Sequence, residues 1–290
     1  MSISRRGLIQ TMAATSVSTW AGAQAHGNTK APARRLRNMG VILGSVNKAL
    51  NENPQATLGH LAKQGFKELE FNGPPKGVDA ADFKEMISDA GLVSVAGGAA
   101  MYQLKTVLPT MIESAHFFGR KYLACYWPWA DKGLNKTIED WKQLGGTLNE
   151  IGATLKKEGL SFAYHNHDKE FTPYENQIPY DQVLANTDPS LVTMELDIYW
   201  IHKGNQDAVK YITAHPGRFS LFHVKDMGPE PDRATVCIGD GTIPFGKVFA
   251  ALEGQPGERH FFWEREGHAD AKIELACATQ TAKMLKGLRF

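Results

Sequence analysis

Ile138-Glu-Asp-Trp-Lys-Gln-Leu-Gly-Gly-Thr-Leu-Asn-Glu-Ile-Gly-Ala-Thr-Leu-Lys-Lys-Glu-Gly-Leu-Ser-Phe-Ala-Tyr-His-Asn-His167 is the stretch that decides the fold. Ile138, Trp141, Leu144, Leu148, Ile151 and Leu155 recur at spacings of three and four, so the first twenty residues predict one amphipathic helix. Lys142, Glu150, Lys156 and Lys157 lie off that stripe as a solvated face, and Gly159 stops the helix. Leu160 to His165 then reads as a buried strand that ends abruptly in polar residues.

The same rhythm runs outward in both directions. Met39–Gly44, Lys67–Phe71, Leu92–Ala96 and Lys121–Cys125 precede it as strand candidates; Leu191–Asp197, Phe219–Val224 and Arg259–Glu264 follow it. Helical segments such as Gln55–Gln64 and Asp79–Ala90 separate them. Eight strand–helix units in about 250 residues predict a single (β/α)₈ TIM barrel, with its active site at the C-terminal ends of the strands. An open doubly wound sheet is the alternative, but no G-x-G-x-x-G follows the first strand.

Composition narrows the partners. Thirty-two Lys+Arg against 31 Asp+Glu give a formal charge of +1 over 290 residues, which provides no net field for nucleic acid or an anionic membrane. Cys125, Cys237 and Cys277 are far apart and odd in number, with no CxxC, so no disulfide framework is expected. Ser4-Arg5-Arg6-Gly7 opens a small-residue run that ends in Ala23-Gln24-Ala25, the pattern of a cleavable export signal of twin-arginine type over residues 1–25. An ordinary secretory signal is the alternative. Residues 26–36 read as a polar arm and 37–290 as the catalytic barrel, with a periplasmic destination and no membrane span after cleavage. An oligomer is compatible with the sequence.

If the barrel is right, the informative residues are the polar groups at strand ends. Strand two ends in Glu70, strand five in His165-Asn166-His167-Asp168, strand six in Glu195-Leu196-Asp197, strand seven in His223-Val224-Lys225-Asp226 and strand eight in Glu264. Side chains alternate along a strand, so His165 and His167 share a face, as do Glu195 and Asp197, and His223 and Lys225. Two imidazoles and two carboxylates can converge. Without thiolate, that donor set suits Mn²⁺, Mg²⁺, Fe²⁺, Co²⁺ or Zn²⁺.

Tyr164-His-Asn-His-Asp-Lys-Glu-Phe171, Glu195-Leu-Asp-Ile-Tyr-Trp200, His223-Val-Lys-Asp-Met227 and Phe262-Trp-Glu264 resemble the sugar phosphate isomerase/epimerase family of xylose-isomerase-like TIM barrels. The likeness runs through residues 37–290 and includes Glu68-Leu-Glu-Phe71 and the Gly239-Asp-Gly-Thr-Ile243 turn. It implies a divalent ion, commonly Mn²⁺, on His165, Asp197, His223 and Glu264, with His167 left for substrate or proton transfer. The reverse assignment of His165 and His167 is the alternative. Two departures stand out: histidine replaces the glutamate many epimerases carry on strand five, and Gly97-Gly98 stands where relatives often show His.

A divalent ion beside a ketone acidifies the adjacent C–H, and Glu264 is the expected base, with His167 or Lys225 as proton donor. Glu70, Trp200 and Lys225 are expected to contact substrate, and Trp127, Trp129 and Trp263 either stack on a sugar ring or pack the barrel. The expected activity is isomerisation or epimerisation of an unphosphorylated sugar or keto-glycoside, since no Gly-rich phosphate cradle or Arg cluster stands at a strand end. Cleavage of a 3-keto-glycoside by the same ion and base is the second reading. An exported sugar-binding protein without turnover is the third. An abasic-site nuclease would need a basic groove, which the charge balance does not offer.

Overall fold

The computed structural model describes residues 36, 38–129, 137–267 and 270–290; the expected export signal and nearly all of the arm lie outside these residues. Eight parallel strands close into a barrel: β1 (Met39–Ile42), β2 (Phe66–Glu70), β3 (Val93–Ala100), β4 (Tyr122–Trp127), β5 (Ser161–His165), β6 (Val192–Asp197), β7 (Phe219–Val224) and β8 (His260–Trp263). Pairing of Gly40 with Phe262 and Val41 with Trp263 closes the ring between β1 and β8. One principal helix follows each strand: α1 (Pro54–Gln64), α2 (Ala80–Asp89), α3 (Leu108–Phe118), α4 (Ile138–Lys157), α5 (Pro179–Asn186), α6 (Ala208–Ala214), α7 (Phe245–Ala251) and α8 (Ala271–Gly287). None of the described helices is long and apolar enough to cross a membrane.

Local chemistry accounts for the elements. At the start of α4, Thr137 Oγ1 accepts from the Asp140 N–H at 3.2 Å and Asp140 Oδ2 accepts from the Thr137 N–H at 2.9 Å, a reciprocal cap. Gly159 ends the helix region in the left-handed region, at φ +73°. Between these ends Trp141, Leu144, Leu148, Ile151 and Leu155 are all buried, as the periodicity predicts.

The largest shift from expectation is in β3, which runs on to Ala100 through Gly97 and Gly98. In a sequence, two glycines read as a break. Here they are needed for clearance: a Cβ on Gly98 would lie 2.6 Å from the Tyr126 ring, and one on Gly97 would lie 2.4 Å from the Phe71 carbonyl.

The core has two layers. Most apolar side chains fill the space between the strands and the helices. A smaller cluster that includes Ala96, Ala124, Ala163, Leu221 and Phe262 fills the lower barrel interior. Gly40 admits the Phe262 ring, which a Cβ would meet at 2.5 Å.

The expectation about cysteines is corrected. Cys237 and Cys277 form a disulfide with their Cα atoms 5.5 Å apart, and only Cys125 is free and buried. Forty residues separate the pair in sequence, but the loop after β7 folds back onto α8, a closure that spacing does not reveal.

Candidate active site

Alternation along the strands turns Glu70, Tyr126, His165, Glu195, Asp197, His223, Lys225 and Glu264 toward one region at the C-terminal end of the barrel. Glu70, Glu195, Asp197 and Lys225 are fully buried, and His165 and His223 nearly so. Asp197 ends β6 and caps the turn that follows, with Oδ1 accepting from the Trp200 N–H at 2.9 Å. That leaves Asp197 Oδ2 inside the site without a hydrogen-bond partner. Asn166 joins the ends of β5 and β6, accepting from the Asp197 N–H at 3.1 Å and donating to its carbonyl at 3.3 Å.

Of the four residues expected to share an ion, Asp197, His223 and Glu264 form one group, and His165 joins His223 in a second group with Glu195. His165 Nε2 and His223 Nδ1 each lie 4.0 Å from Asp197 Oδ2, and His223 Nδ1 lies 2.8 Å from Glu264 Oε2. Donor atoms of Asp197, His223 and Glu264 fall within 4.8 Å of one another, and so do those of His165, Glu195 and His223. Four carboxylates thus crowd a desolvated space with one ammonium, Lys225, which lies 3.4 Å from Glu264 and 3.9 Å from Asp197. The orphaned Asp197 oxygen and the all-nitrogen-and-oxygen donor set fit a divalent cation.

Electrostatics separate the carboxyls. Burial drives Asp197 up to about 7 despite the opposing pull of Lys225. Burial and the charge of Glu70 push Glu195 well above the usual carboxylate range. Burial would also raise Glu264, but Lys225 and His223 outweigh it and hold this carboxyl well below its ordinary value, hence ionised. His223 is shifted the other way: burial would lower it, yet Glu195, Glu70 and Glu264 raise it well above 6.5. Burial, with His223 and His167 close by, keeps the His165 imidazole well below 6.5.

His167 stands above this cluster among Trp127, Trp129 and Trp200, at ring separations of 5.9, 5.3 and 5.3 Å. Burial and the Lys225 charge lower it to about 3, which leaves it an uncharged ring at neutral pH. Lys225 packs over the Tyr199 and Trp200 rings at 5.3 and 4.8 Å.

Several sequence-level alternatives resolve here. Trp263 is fully buried and stacks on Phe66 at 5.9 Å, so it packs the barrel. Lys225 pairs with Glu266 at 2.9 Å. Asp226 instead accepts from the backbone N–H groups of Gly239 at 2.9 Å and Gly241 at 3.1 Å, which explains the Gly239–Ile243 turn. Glu70, expected to touch substrate, is engaged at both oxygens by protein groups: the Tyr126 hydroxyl donates to one, and His223 Nε2 lies 3.0 Å from the other. Tyr126 and Asn166 were not singled out from sequence, and Glu195 only as sharing a face with Asp197. Nothing in the local pattern distinguishes a barrel-lining tyrosine from a packing one.

Fold and site together define a closed parallel barrel with a buried imidazole–carboxylate cluster at its C-terminal mouth, the place where barrels of this architecture carry their chemistry. Residues 58–286 match the model of the xylose isomerase-like TIM barrel family, and the chain belongs to that family. Inosose dehydratase from Clostridium perfringens is 26% identical over 164 residues, 51% of this chain and 54% of that protein. The chain thus spans about half the length of the curated relatives it matches. Among solved structures, a sugar phosphate isomerase/epimerase from Parabacteroides distasonis superposes with a TM-score of 0.73 at 24% identity, covering 91% of this chain and 97% of that one. The IOLI protein with a bound zinc atom superposes with a TM-score of 0.66 at 14% identity, covering 86% of this chain and 98% of that one.

Proposed function

We propose that this protein is a divalent-metal-dependent enzyme that removes a proton next to a carbonyl in an unphosphorylated sugar or keto-glycoside, giving isomerisation or epimerisation. The observation that carries the reading is the convergence of His165, Asp197, His223 and Glu264 around the unpartnered Asp197 oxygen. A divalent ion held by these four residues would polarise a substrate carbonyl. The zinc in the IOLI protein supports an ion in such a barrel; manganese is the choice that the family resemblance favours.

The protein groups divide the remaining work. Glu264 is ionised, its side chain is 14% exposed at the mouth, and it can accept the proton. His167 lies two residues past the end of β5, two strands round the ring from β7 and three from β8, and can serve as an uncharged second proton carrier. Trp127, Trp129 and Trp200 wall the space around it with flat apolar faces suited to a sugar ring. Lys225 keeps a positive charge against Glu264 and Asp197 and can hold a substrate oxygen.

Elimination is the second reading, favoured by the inosose dehydratase name of the curated relatives. The same proton abstraction then breaks the C–O bond at the carbon β to the carbonyl and forms an α,β double bond, the leaving oxygen departing with a proton as water or aglycone, as in a dehydratase or a keto-glycoside lyase. Glu264→Gln should slow solvent-deuterium entry into a panel of keto-sugars by about 10²–10⁴-fold with the fold retained. Unchanged exchange would remove Glu264 from the role. NMR of the products separates the readings: all carbons retained with one proton moved or inverted supports isomerisation or epimerisation, and release of water or aglycone supports elimination.

The Cys237–Cys277 disulfide supports the proposed export to an oxidising compartment such as the periplasm, where such bonds persist.

A further inference from the structure

Each imidazole of the site has a carboxylate beneath it. His223 directs Nδ1 toward Glu264 at 2.8 Å and Nε2 toward Glu70 at 3.0 Å. His165 directs Nε2 toward Asp197 at 4.0 Å and Nδ1 toward Glu195 at 3.2 Å. The two rings therefore offer opposite nitrogens to the region between Asp197 and Glu264. Their other nitrogens point down the barrel, where Glu195 lies two residues, or about 7 Å, deeper along β6 than Asp197.

Glu195 is the anomaly. It is fully buried, neither of its oxygens has a hydrogen-bond partner, and the nearby His165 Nδ1 also lacks one. A desolvated carboxyl group left without a hydrogen-bond partner costs several kcal/mol. The register holds it in place, since His165 and Glu195 are direct partners across β5 and β6. A small rotation of the ring would align the orphaned nitrogen with the orphaned oxygen.

We infer that Glu195 and Glu70 are positioning residues, one for each histidine: Glu195 accepts Nδ1–H of His165 and Glu70 accepts Nε2–H of His223, so that His165 presents Nε2 and His223 presents Nδ1 to a single ion. This rests on the ion site proposed above. Glu70 is thereby a support under His223 and not a substrate contact, and the Tyr126 hydroxyl fixes its other oxygen. Outer carboxylates of this kind set the tautomer of a metal-binding imidazole and raise its basicity.

The test uses the full chain stripped with chelator and titrated with Mn²⁺ by calorimetry. Wild type should bind one ion. Glu195→Leu should weaken binding about 10–100-fold while raising the melting temperature of the metal-free protein, because it removes an unpaired buried carboxyl. A residue that merely supports packing would lower both. Glu195→Gln keeps an acceptor oxygen and should restore most of the affinity. In the Zn²⁺-loaded wild type, ¹⁵N-histidine NMR should show one imidazole bound through Nε2 and one through Nδ1, a readout that needs no variant to fold. Wild-type affinity in Glu195→Leu, or both rings bound through the same nitrogen, would overturn the assignment. So would two ions in wild type and one in Glu195→Leu, which would make Glu195 a ligand. No binding by wild type would instead remove the ion site itself.

Discussion

Glu170 shows what burial does to a single ionisable group away from the chemistry. It is fully buried in the short helical turn that follows β5, takes the Tyr164 hydroxyl on one oxygen at 3.0 Å and leaves the other without a hydrogen-bond partner. Burial raises its carboxyl to about 8. The folded state therefore binds a proton that the unfolded chain releases near 4.5, and stability must fall as pH rises from about 4.5 to about 8. Glu170→Gln should remove this dependence, with the variant gaining on wild type by up to about 1.4 kcal/mol per pH unit across that window. Urea melts at pH 5 and pH 8 check it; parallel curves for the two proteins would contradict the assignment.

The loop between β7 and α7 is tied down twice, by the Asp226 carboxylate on the Gly239 and Gly241 backbone and by the disulfide to α8. A bond spanning 40 residues restricts the unfolded chain by about 3–4 kcal/mol. Reduction with dithiothreitol should lower the melting temperature of wild type and leave Cys237→Ser unaffected. Equal responses would show that the bond does not form. The strands were legible as elements because each is a short apolar run, and α4 because its stripe keeps one period for twenty residues. The strand predicted over Leu92–Ala96 stops four residues short of the end of β3 because Gly97 and Gly98 look like a turn until the Tyr126 ring that needs their space is in view.

The barrel concentrates the buried Glu70, Glu195 and Asp197, with Glu264 at their edge, against the single ammonium of Lys225. A dication binding only the folded form should stabilise it by about 2.7 kcal/mol at a hundredfold excess over Kd. Thermal melts with Mn²⁺ and then with chelator measure this, and a melting temperature indifferent to both would count against the ion site.

From the residues alone came the eight-unit barrel and the polar strand ends that carry His165, Asp197, His223 and Glu264, because alternation and strand polarity are local properties of the chain. The support of His223 by Glu70, the orphaned Glu195 under His165, the neutral His167 among three tryptophans and the Cys237–Cys277 bond emerged only on folding. Each depends on which strands become neighbours when the ring closes and on how deeply a side chain is cut off from water, and neither quantity is written in the spacing of one segment.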